Sequence, residues 1–243
     1  MFDSIKNKFH FRFKDRTSAA TILAAALEDF LRKDNNKETK NANLIVLGIP
    51  RGGVIVADIV ATKLKASNFD IVIPRKLRVP HNEEAAFGAI MSDGTVYVDE
   101  RIIRDLDISE DYIKREKAFQ LEEIKRRSIL YRNKKEEEEL QQTIQNSTKI
   151  ILVDDGAATG ATVIAVSRSI RRILGPDNNN KLIIALPVSP EETVEVLRKE
   201  AYHVEVITAP SLFFNAVGQY YQSFEQVSDE KVIEIMRRRR KLL

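Results

Sequence analysis

Five short segments of the chain are rich in Val, Ile and Leu and lack the alternation of apolar and polar residues that marks a half-exposed strand. Runs of this length are typical of strands that are buried on both faces. Four segments with apolar residues at helical spacing lie between or beside them. The predicted strands cover residues 44–49, 71–74, 150–153, 181–186 and 204–208. The predicted helices cover residues 17–32, 54–65, 162–174 and 191–200.

Strands that alternate with helices along a chain form right-handed crossovers, and their strands run mostly parallel. The pattern therefore predicts an α/β fold: a doubly wound, mostly parallel sheet with helices on both faces. One segment departs from the alternation. Asp93-Gly94 separates the apolar residues 87–91 from residues 95–98, which predicts a β-hairpin.

Residues 108–146 are dense in charges of both signs and predict a helical insertion. Leu121, Ile124, Ser128 and Tyr131 share one face of its first helix, so a solvated helix pair packed on the domain is favoured over a partner-binding module. We expect residues 1–243 to form a single domain with a C-terminal segment from about residue 209 to 243. Its basic run, residues 237–241, is more typical of a frayed helix end than of a nucleic-acid contact.

The composition excludes several classes of protein. The 243 residues contain no cysteine, which rules out disulfides, zinc thiolates, iron–sulfur clusters and thiol nucleophiles. The three histidines, His10, His81 and His203, are too scattered to predict a metal site. With 39 basic and 36 acidic residues, the net charge is +3, which does not by itself indicate nucleic-acid binding. Without a long apolar run or a signal-peptide core, we expect a soluble cytoplasmic protein with no membrane partner.

Two glycine-containing loops each follow a predicted strand and precede a predicted helix. The first is Gly48-Ile49-Pro50-Arg51-Gly52-Gly53, and the second is Gly156-Ala157-Ala158-Thr159-Gly160. In an open α/β sheet, such loops lie at the carboxyl edge of the strands, where ligands bind. Glycine allows backbone N–H groups to approach a ligand, and a helix N-terminus favours anions. The sequence therefore predicts two anion-binding loops at one edge of the sheet.

Asp154 and Asp155 directly precede the second loop. Its small residues and the hydroxyls of Thr159 and Thr162 can bind a phosphate monoester, but adjacent carboxylates would repel one. The carboxylates suit sugar hydroxyls or a divalent cation, so a phosphorylated sugar satisfies both parts. An ordinary strand-to-helix turn with solvated aspartates is the alternative, and an acid pair at the tip of a buried strand argues against it.

Cations gather near the first loop. Arg51 lies within it, and Arg75 and Lys76 follow the next predicted strand, so we expect their charges to reach the same edge. A surface salt bridge is the alternative for Arg51 alone. A ligand with a phosphate at one end and a more highly charged group at the other would use both loops.

The segment Val153-Asp154-Asp155-Gly156-Ala157-Ala158-Thr159-Gly160-Ala161-Thr162 resembles the phosphoribosyl-pyrophosphate signature of type I phosphoribosyltransferases. The segment from Gly48 to Gly53 resembles their pyrophosphate loop. More narrowly, nearly the whole chain is similar to a group of predicted phosphoribosyltransferases without an assigned acceptor. The segments that carry this likeness are Phe13-Lys14-Asp15-Arg16, Arg75-Lys76-Leu77, Asn82-Glu83 with Phe87-Gly88-Ala89, Leu130-Tyr131-Arg132, and Phe213-Phe214-Asn215-Ala216-Val217-Gly218.

The resemblance implies transfer of a phosphoribosyl group from phosphoribosyl pyrophosphate to a small nitrogen acceptor, favoured to be a nucleobase, with release of pyrophosphate. It also implies a homodimer, Mg²⁺ held by Asp154 and Asp155, and a mobile loop at residues 77–86 that covers the site. The implied catalytic residues are Arg51, Lys76, Asp154 and Asp155. The implied substrate-binding residues are Arg51, Gly52, Gly53, Arg75, Lys76, Asp154, Asp155, Ala157, Ala158, Thr159, Gly160, Ala161 and Thr162.

One position narrows the acceptor. In the 6-oxopurine branch of the family, an aspartate that contacts the purine commonly precedes the Thr-Gly of the second loop, where this chain has Ala158. Hypoxanthine and guanine are therefore disfavoured, and adenine-like, pyrimidine-like and non-nucleobase acceptors stay open. Phe213, Phe214, Tyr220 and Tyr221 could stack on a base, although core packing is the favoured role for each.

A non-catalytic regulator of the same fold, which senses phosphoribosyl pyrophosphate or a nucleotide, is the alternative function. Retention of Arg51, Lys76 and a full mobile loop favours an enzyme, because a sensor needs no lid that excludes water. Other classes fail on their motifs. A receiver domain needs a later aspartate at the end of a strand. Only Asp177 and Asp229 follow Asp155, and neither comes after a predicted strand. No Gly-x-Gly-x-x-Gly follows a strand, and Gly160-Ala161-Thr162 lacks the lysine of a P-loop.

Overall fold

The computed structural model of the protein describes residues 12–34, 43–132, 134–178 and 180–241, with the backbone alone at residues 83, 84, 134–137 and 177. His10 lies outside these ranges. The centre of the fold is a five-stranded parallel sheet in the order β2-β1-β6-β7-β8. Its strands are β1 Leu44–Gly48, β2 Asn68–Ile71, β6 Lys149–Val153, β7 Leu182–Val188 and β8 His203–Thr208.

Helices cover both faces of this sheet. The helices are α1 Arg16–Lys33, α2 Gly52–Lys63, α3 Glu100–Asp105, α4 Glu110–Tyr131, α5 Lys134–Asn146, α6 Ala161–Leu174, α7 Glu191–Leu197 and α8 Asp229–Arg240. Alternate residues of β1 and β6 pack to opposite sides: Val46 and Ile151 join the cluster formed with α1, α2 and α8, whereas Leu47 and Leu152 join the cluster formed with α6. The doubly wound α/β fold is therefore confirmed.

A second, antiparallel sheet is formed by β3 Arg75–Val79, β4 Asn82–Ile90 and β5 Val96–Val98. The predicted hairpin around Asp93-Gly94 is confirmed as β4 and β5. Residues 77–86, expected as a mobile loop, instead belong to β3 and β4 and the tight turn at Pro80 and His81. The segment is therefore a hairpin rather than a loop, with Leu77 fully buried where the hairpin joins the core. That it covers the site stays a prediction.

The second predicted strand is also displaced. The structure places β2 at Asn68–Ile71, where it pairs with residues 45–48 of β1, and not at residues 71–74. Because β1 ends at Gly48, only Val72 continues the pairing, through its N–H to the Gly48 carbonyl. Pro74 has no N–H to donate to a strand. The polar residues Asn68 and Asp70 concealed the true strand in the sequence.

The helical insertion is present as α4 and α5, and α4 buries Gln120, Ile124 and Tyr131 against the domain. Leu121 and Ser128 are half-buried on the same side. Among the described helices, none is both long and apolar enough to cross a membrane. That residues 1–243 form a single domain stays a prediction.

Candidate active site

The two glycine-containing loops meet at the carboxyl edge of the central sheet. Gly48 at the end of β1 lies beside Val153 at the end of β6. The Ile49 N–H donates to the Val153 carbonyl at 2.9 Å, which extends the pairing one residue into the loops. The peptide bond between Pro50 and Arg51 is cis. The sheet therefore places the two predicted anion-binding loops side by side.

Gly52 and Gly53 pack directly against the paired aspartates. A Cβ atom on Gly52 would lie 1.8 Å from Oδ2 of Asp155, and one on Gly53 would lie 2.6 Å from Oδ1 of Asp154 and 2.7 Å from its Cα. No side chain fits at these distances, so glycine is required at both positions. The first loop and the acid pair consequently form one continuous site.

The Asp155 side chain is held by residues from both ends of the chain. Its Oδ2 lies 2.8 Å from Nε of Arg16, which begins α1. The Arg16 guanidinium lies 3.8 Å from the centroid of the Phe224 ring, and its Nη1 donates to the Glu225 carbonyl at 2.8 Å. The Tyr221 hydroxyl donates to the Asp155 carbonyl at 2.6 Å. These contacts fix the direction in which Asp155 points.

The surroundings of Asp154 make its carboxyl group harder to ionise. Its burial, and then the neighbouring charge of Asp155, raise its pKa well above 3.8, while the positive charge of Lys76 acts in the opposite direction. A buried carboxylate next to another carboxylate is costly to ionise. The site therefore favours a cation or a hydrogen-bond donor beside Asp154.

This raised pKa predicts a pH dependence of stability. As the pH rises from about 3.8 towards the raised pKa of Asp154, the folded state holds a proton that the unfolded state has lost. The free energy of unfolding contributed by Asp154 therefore falls with pH in that window, by at most about 1.4 kcal/mol per pH unit. Asp154→Asn removes this contribution. Urea denaturation of both proteins without ligand, from pH 4 upwards, will show that the free energy of unfolding of the variant rises relative to that of the wild type as the pH increases. Parallel profiles would contradict the assignment.

The second loop exposes its backbone at the tip. Gly156 has φ of +151° and packs closely on Val217, while Gly160 has φ of +73° and precedes the first turn of α6. The Thr193 hydroxyl donates to the Ala158 carbonyl at 2.6 Å, which fixes the loop from outside. Ala158 and Thr159 are exposed. Since the first N–H groups of a helix have no partners within it, this loop offers donors to an anion.

Arg75 and Lys76 point to opposite sides of β3, as successive residues of a strand do. The Lys76 side chain is exposed, and its charge acts on Asp154. The Arg75 Nε instead donates to Oε1 of Gln120 on α4 at 2.8 Å. Burial and then the charge of Arg127 lower the pKa of Arg75. Lys76 therefore acts on the acid pair while Arg75 is held by helix α4, and substrate binding by either residue stays a prediction.

Arg51 lies where the helical insertion meets the C-terminal helix. It immediately precedes α2, and its Nη1 is 3.8 Å from Oδ1 of Asp229, the first residue of α8. The buried Tyr131 at the end of α4 donates its hydroxyl to the same oxygen. Burial and this hydrogen bond raise the pKa of Tyr131, so the hydroxyl stays protonated. Asp229 and Tyr131 therefore hold Arg51 at the edge of the first loop.

Several residues that contact the site carry no motif in the sequence that predicts a role for them. Arg16 and Tyr131 do lie within segments that resemble the family, which is the one signal that could have singled them out. Asp229 was considered only as a receiver aspartate. Of the four aromatic candidates, Tyr221 is buried against Phe13 with ring centroids 5.4 Å apart, and Phe214 stacks on Tyr220 at 5.3 Å. Phe213 is 71% exposed and does not pack in the core.

Comparison with known proteins defines the class. The family model of the phosphoribosyl transferase domain matches residues 17–223. A Mycobacterium tuberculosis protein, recorded from strains H37Rv and CDC 1551 and provisionally named a phosphoribosyl transferase, is 35% identical over 226 residues. That alignment covers 93% of this chain and 46% of the relative, so the chain spans about half the length of the curated relatives it matches.

The crystal structure of TT1426 from Thermus thermophilus superposes with a TM-score of 0.65 at 32% identity, and the match covers 94% of this chain and 99% of that one. The fold and the two loops at its carboxyl edge are those of the type I phosphoribosyltransferase family. The chain belongs to the phosphoribosyl transferase family, as its sequence predicted.

Proposed function

We propose that the chain transfers the phosphoribosyl group of phosphoribosyl pyrophosphate to a nitrogen acceptor and releases pyrophosphate. The single observation that carries the proposal is the close packing of Gly52 and Gly53 against Asp155 and Asp154. This contact joins an anion-binding loop, an acid pair and a second anion-binding loop in one line. The order matches a ligand with a diphosphate, a ribose and a 5-phosphate.

Each part of the site has one role in this proposal. Arg51 and the backbone of Gly52 and Gly53 bind the diphosphate. Asp154 and Asp155 accept hydrogen bonds from the ribose hydroxyls. The 5-phosphate lies against the N-terminus of α6, where it meets backbone donors and the hydroxyls of Thr159 and Thr162. The residues assigned to this phosphate are Ala157, Ala158, Thr159, Gly160, Ala161 and Thr162.

The acid pair fits a Mg²⁺ ion. Carboxylate oxygens are the ligands that Mg²⁺ prefers, and it is commonly bound by one or two carboxylates together with substrate phosphates. In the described part of the chain, no three His, Cys, Asp or Glu side chains cluster as a metal site, so Asp154 and Asp155 would share the ion with the substrate. When bound, the ion supplies positive charge against the diphosphate.

The reaction breaks the bond between the anomeric carbon and the diphosphate oxygen and forms a bond from that carbon to the acceptor nitrogen, whose proton is released to water. The electron pair of the broken bond leaves with pyrophosphate, so negative charge grows at the Arg51 end of the site. The ribose gains positive charge at the same moment, beside Asp154 and Asp155. Fixed groups of opposite charge at both places stabilise such a transition state. The exposed Lys76 lies close enough to add a further positive charge.

A nucleobase is the acceptor class that we propose. The exposed Ala158 offers no carboxylate to a 6-oxopurine, which leaves adenine-like and pyrimidine-like bases. The exposed Phe213, four residues before Val217, which packs on Gly156, provides an aromatic surface for a planar ring.

A panel of nucleobases tests the proposal. With phosphoribosyl pyrophosphate and MgCl₂, we expect pyrophosphate release with adenine or a pyrimidine, and the lowest rates with hypoxanthine and guanine. Turnover confined to hypoxanthine or guanine would contradict the role of Ala158. No turnover with any base, together with nucleic-acid binding that responds to phosphoribosyl pyrophosphate, would support the non-catalytic regulator instead.

A further inference from the structure

One face of helix α4 lies towards Arg51, Asp229 and Tyr131, a group that we call the Arg51 corner. Gln120, Arg127 and Tyr131 are separated by seven and four residues, so they lie on the same side of the helix. Gln120 accepts the hydrogen bond from Arg75. Tyr131 donates to Asp229, which lies 3.8 Å from Arg51. Arg127 is therefore placed between Arg75 and Arg51.

The Nε atom of Arg127 is buried and has no hydrogen-bond partner in the part of the chain that the structure describes. Buried donors in folded proteins are nearly always paired, and an exception calls for an explanation. A guanidinium can donate through Nε and Nη2 together to two oxygens of one phosphate or carboxylate. The Arg127 donor therefore fits an acceptor that the ligand brings.

The charges around Arg127 also call for an anion. The charge of Arg127 acts on Arg75 on one side, and on the other side the charges of Arg127 and Arg51 both act on the Tyr131 hydroxyl, which Asp229 binds. The nearby Glu123 is already bound by Arg126, with Nη2 and Oε2 3.1 Å apart. Because like charges held close together repel, such a cluster is favourable only when an anion joins it. A diphosphate carries the several negative charges that this corner lacks.

We propose that Arg127 of the helical insertion is a further binding residue for the diphosphate of phosphoribosyl pyrophosphate, acting together with Arg51 and Arg75. The assignment rests on the proposed function and gives the insertion a part in it. Gln120 orients Arg75 from one side, and Asp229 orients Arg51 from the other. Arg127 completes a row of guanidinium groups along the leaving-group end of the site.

Calorimetric titration with two partial ligands tests this assignment. Inorganic pyrophosphate in MgCl₂ probes the corner of Arg127, and ribose 5-phosphate probes the second loop. Arg127→Ala is expected to weaken pyrophosphate binding about 10- to 100-fold, the value of one or two hydrogen bonds to a charged group. Ribose 5-phosphate binding is expected to stay unchanged. Arg126→Ala is the matched control, because its side chain is 57% exposed and pairs with Glu123.

Arg127→Lys provides a second variant that keeps the charge but lacks the Nε donor, and we expect an intermediate loss of pyrophosphate affinity. If Arg127→Ala does not fold, the loss of pyrophosphate affinity in Arg127→Lys tests the assignment instead. Pyrophosphate binding by the Arg127 variants equal to that of Arg126→Ala, or an equal loss for both ligands, would overturn the assignment. A wild-type chain that binds neither ligand would overturn the proposed function itself, so the two failures are distinguishable.

Discussion

Replacing both site acids, in an Asp154→Asn, Asp155→Asn double variant, will remove the stabilisation that phosphoribosyl pyrophosphate and MgCl₂ give to the wild-type chain. A ligand at about 100 times its dissociation constant stabilises a folded protein by about 2.7 kcal/mol. For a chain of this length, that corresponds to a rise in melting temperature of about 5–10 °C. The variant will show no rise, because it loses the ionised oxygens that bind the ribose hydroxyls and the metal ion. Its turnover will fall by at least about 10²-fold.

Arg16→Ala is the matched control for this experiment. It removes the ion pair to Asp155 from the other side and leaves both carboxylates in place. We therefore expect Arg16→Ala to retain a measurable thermal shift with the ligand. A shift in the double variant equal to that of the wild type would show that the acids do not bind the sugar. A complete loss in Arg16→Ala would show that the ion pair, rather than the carboxylates, is what matters.

The parts of the site that the sequence could predict are those formed by residues adjacent along the chain. A buried strand followed by Asp154, Asp155 and a glycine loop encodes both the acid pair and its position at the sheet edge. The first loop follows the same rule. Parallel pairing then brings the two loops together, because Gly48 and Val153 end neighbouring strands. Two strand-and-loop patterns, and the rule that ligands bind at the carboxyl edge of a parallel sheet, were therefore sufficient to predict this part of the site.

The remaining contacts depend on residues that are distant in the sequence. Arg16 and Asp155 are 139 positions apart, and Tyr131 and Asp229 are 98 apart, so no local pattern connects either pair. The difference between the expected loop and the observed hairpin at residues 77–86 has another cause. The family resemblance suggested a mobile loop there, whereas the alternation of the buried Leu77 and Val79 with less buried residues is that of a strand. The same alternation separates Arg75 from Lys76.

The architecture around Arg51 links distant parts of the chain to one side chain. Its backbone begins α2, its guanidinium faces α8 through Asp229, and α4 supports Asp229 through the Tyr131 hydroxyl. In the same region, Arg239 of α8 also binds Asp58 of α2 at 2.7 Å, which fixes the two helices to each other. The insertion and the C-terminal helix, which the fold of the central sheet does not require, therefore both contribute to the position of the cation that we assign to the leaving group.

Arg51→Ala will reduce turnover far more than it reduces ribose 5-phosphate binding. Removing one group that stabilises developing charge commonly costs about 10²–10³-fold in rate, and Arg51 faces the charge that grows on pyrophosphate. Ribose 5-phosphate occupies the acid pair and the second loop, so its affinity should be unaffected. Arg51→Lys should recover part of the rate, because lysine keeps the charge but not the planar pair of donors.

Arg237→Ala, which removes an exposed cation of α8, is the matched control and should leave the rate unchanged. Measurement of kcat/KM for phosphoribosyl pyrophosphate together with calorimetry of ribose 5-phosphate separates the two effects. A parallel fall of rate and of ribose 5-phosphate affinity would show that Arg51 holds the sugar phosphate rather than the leaving group.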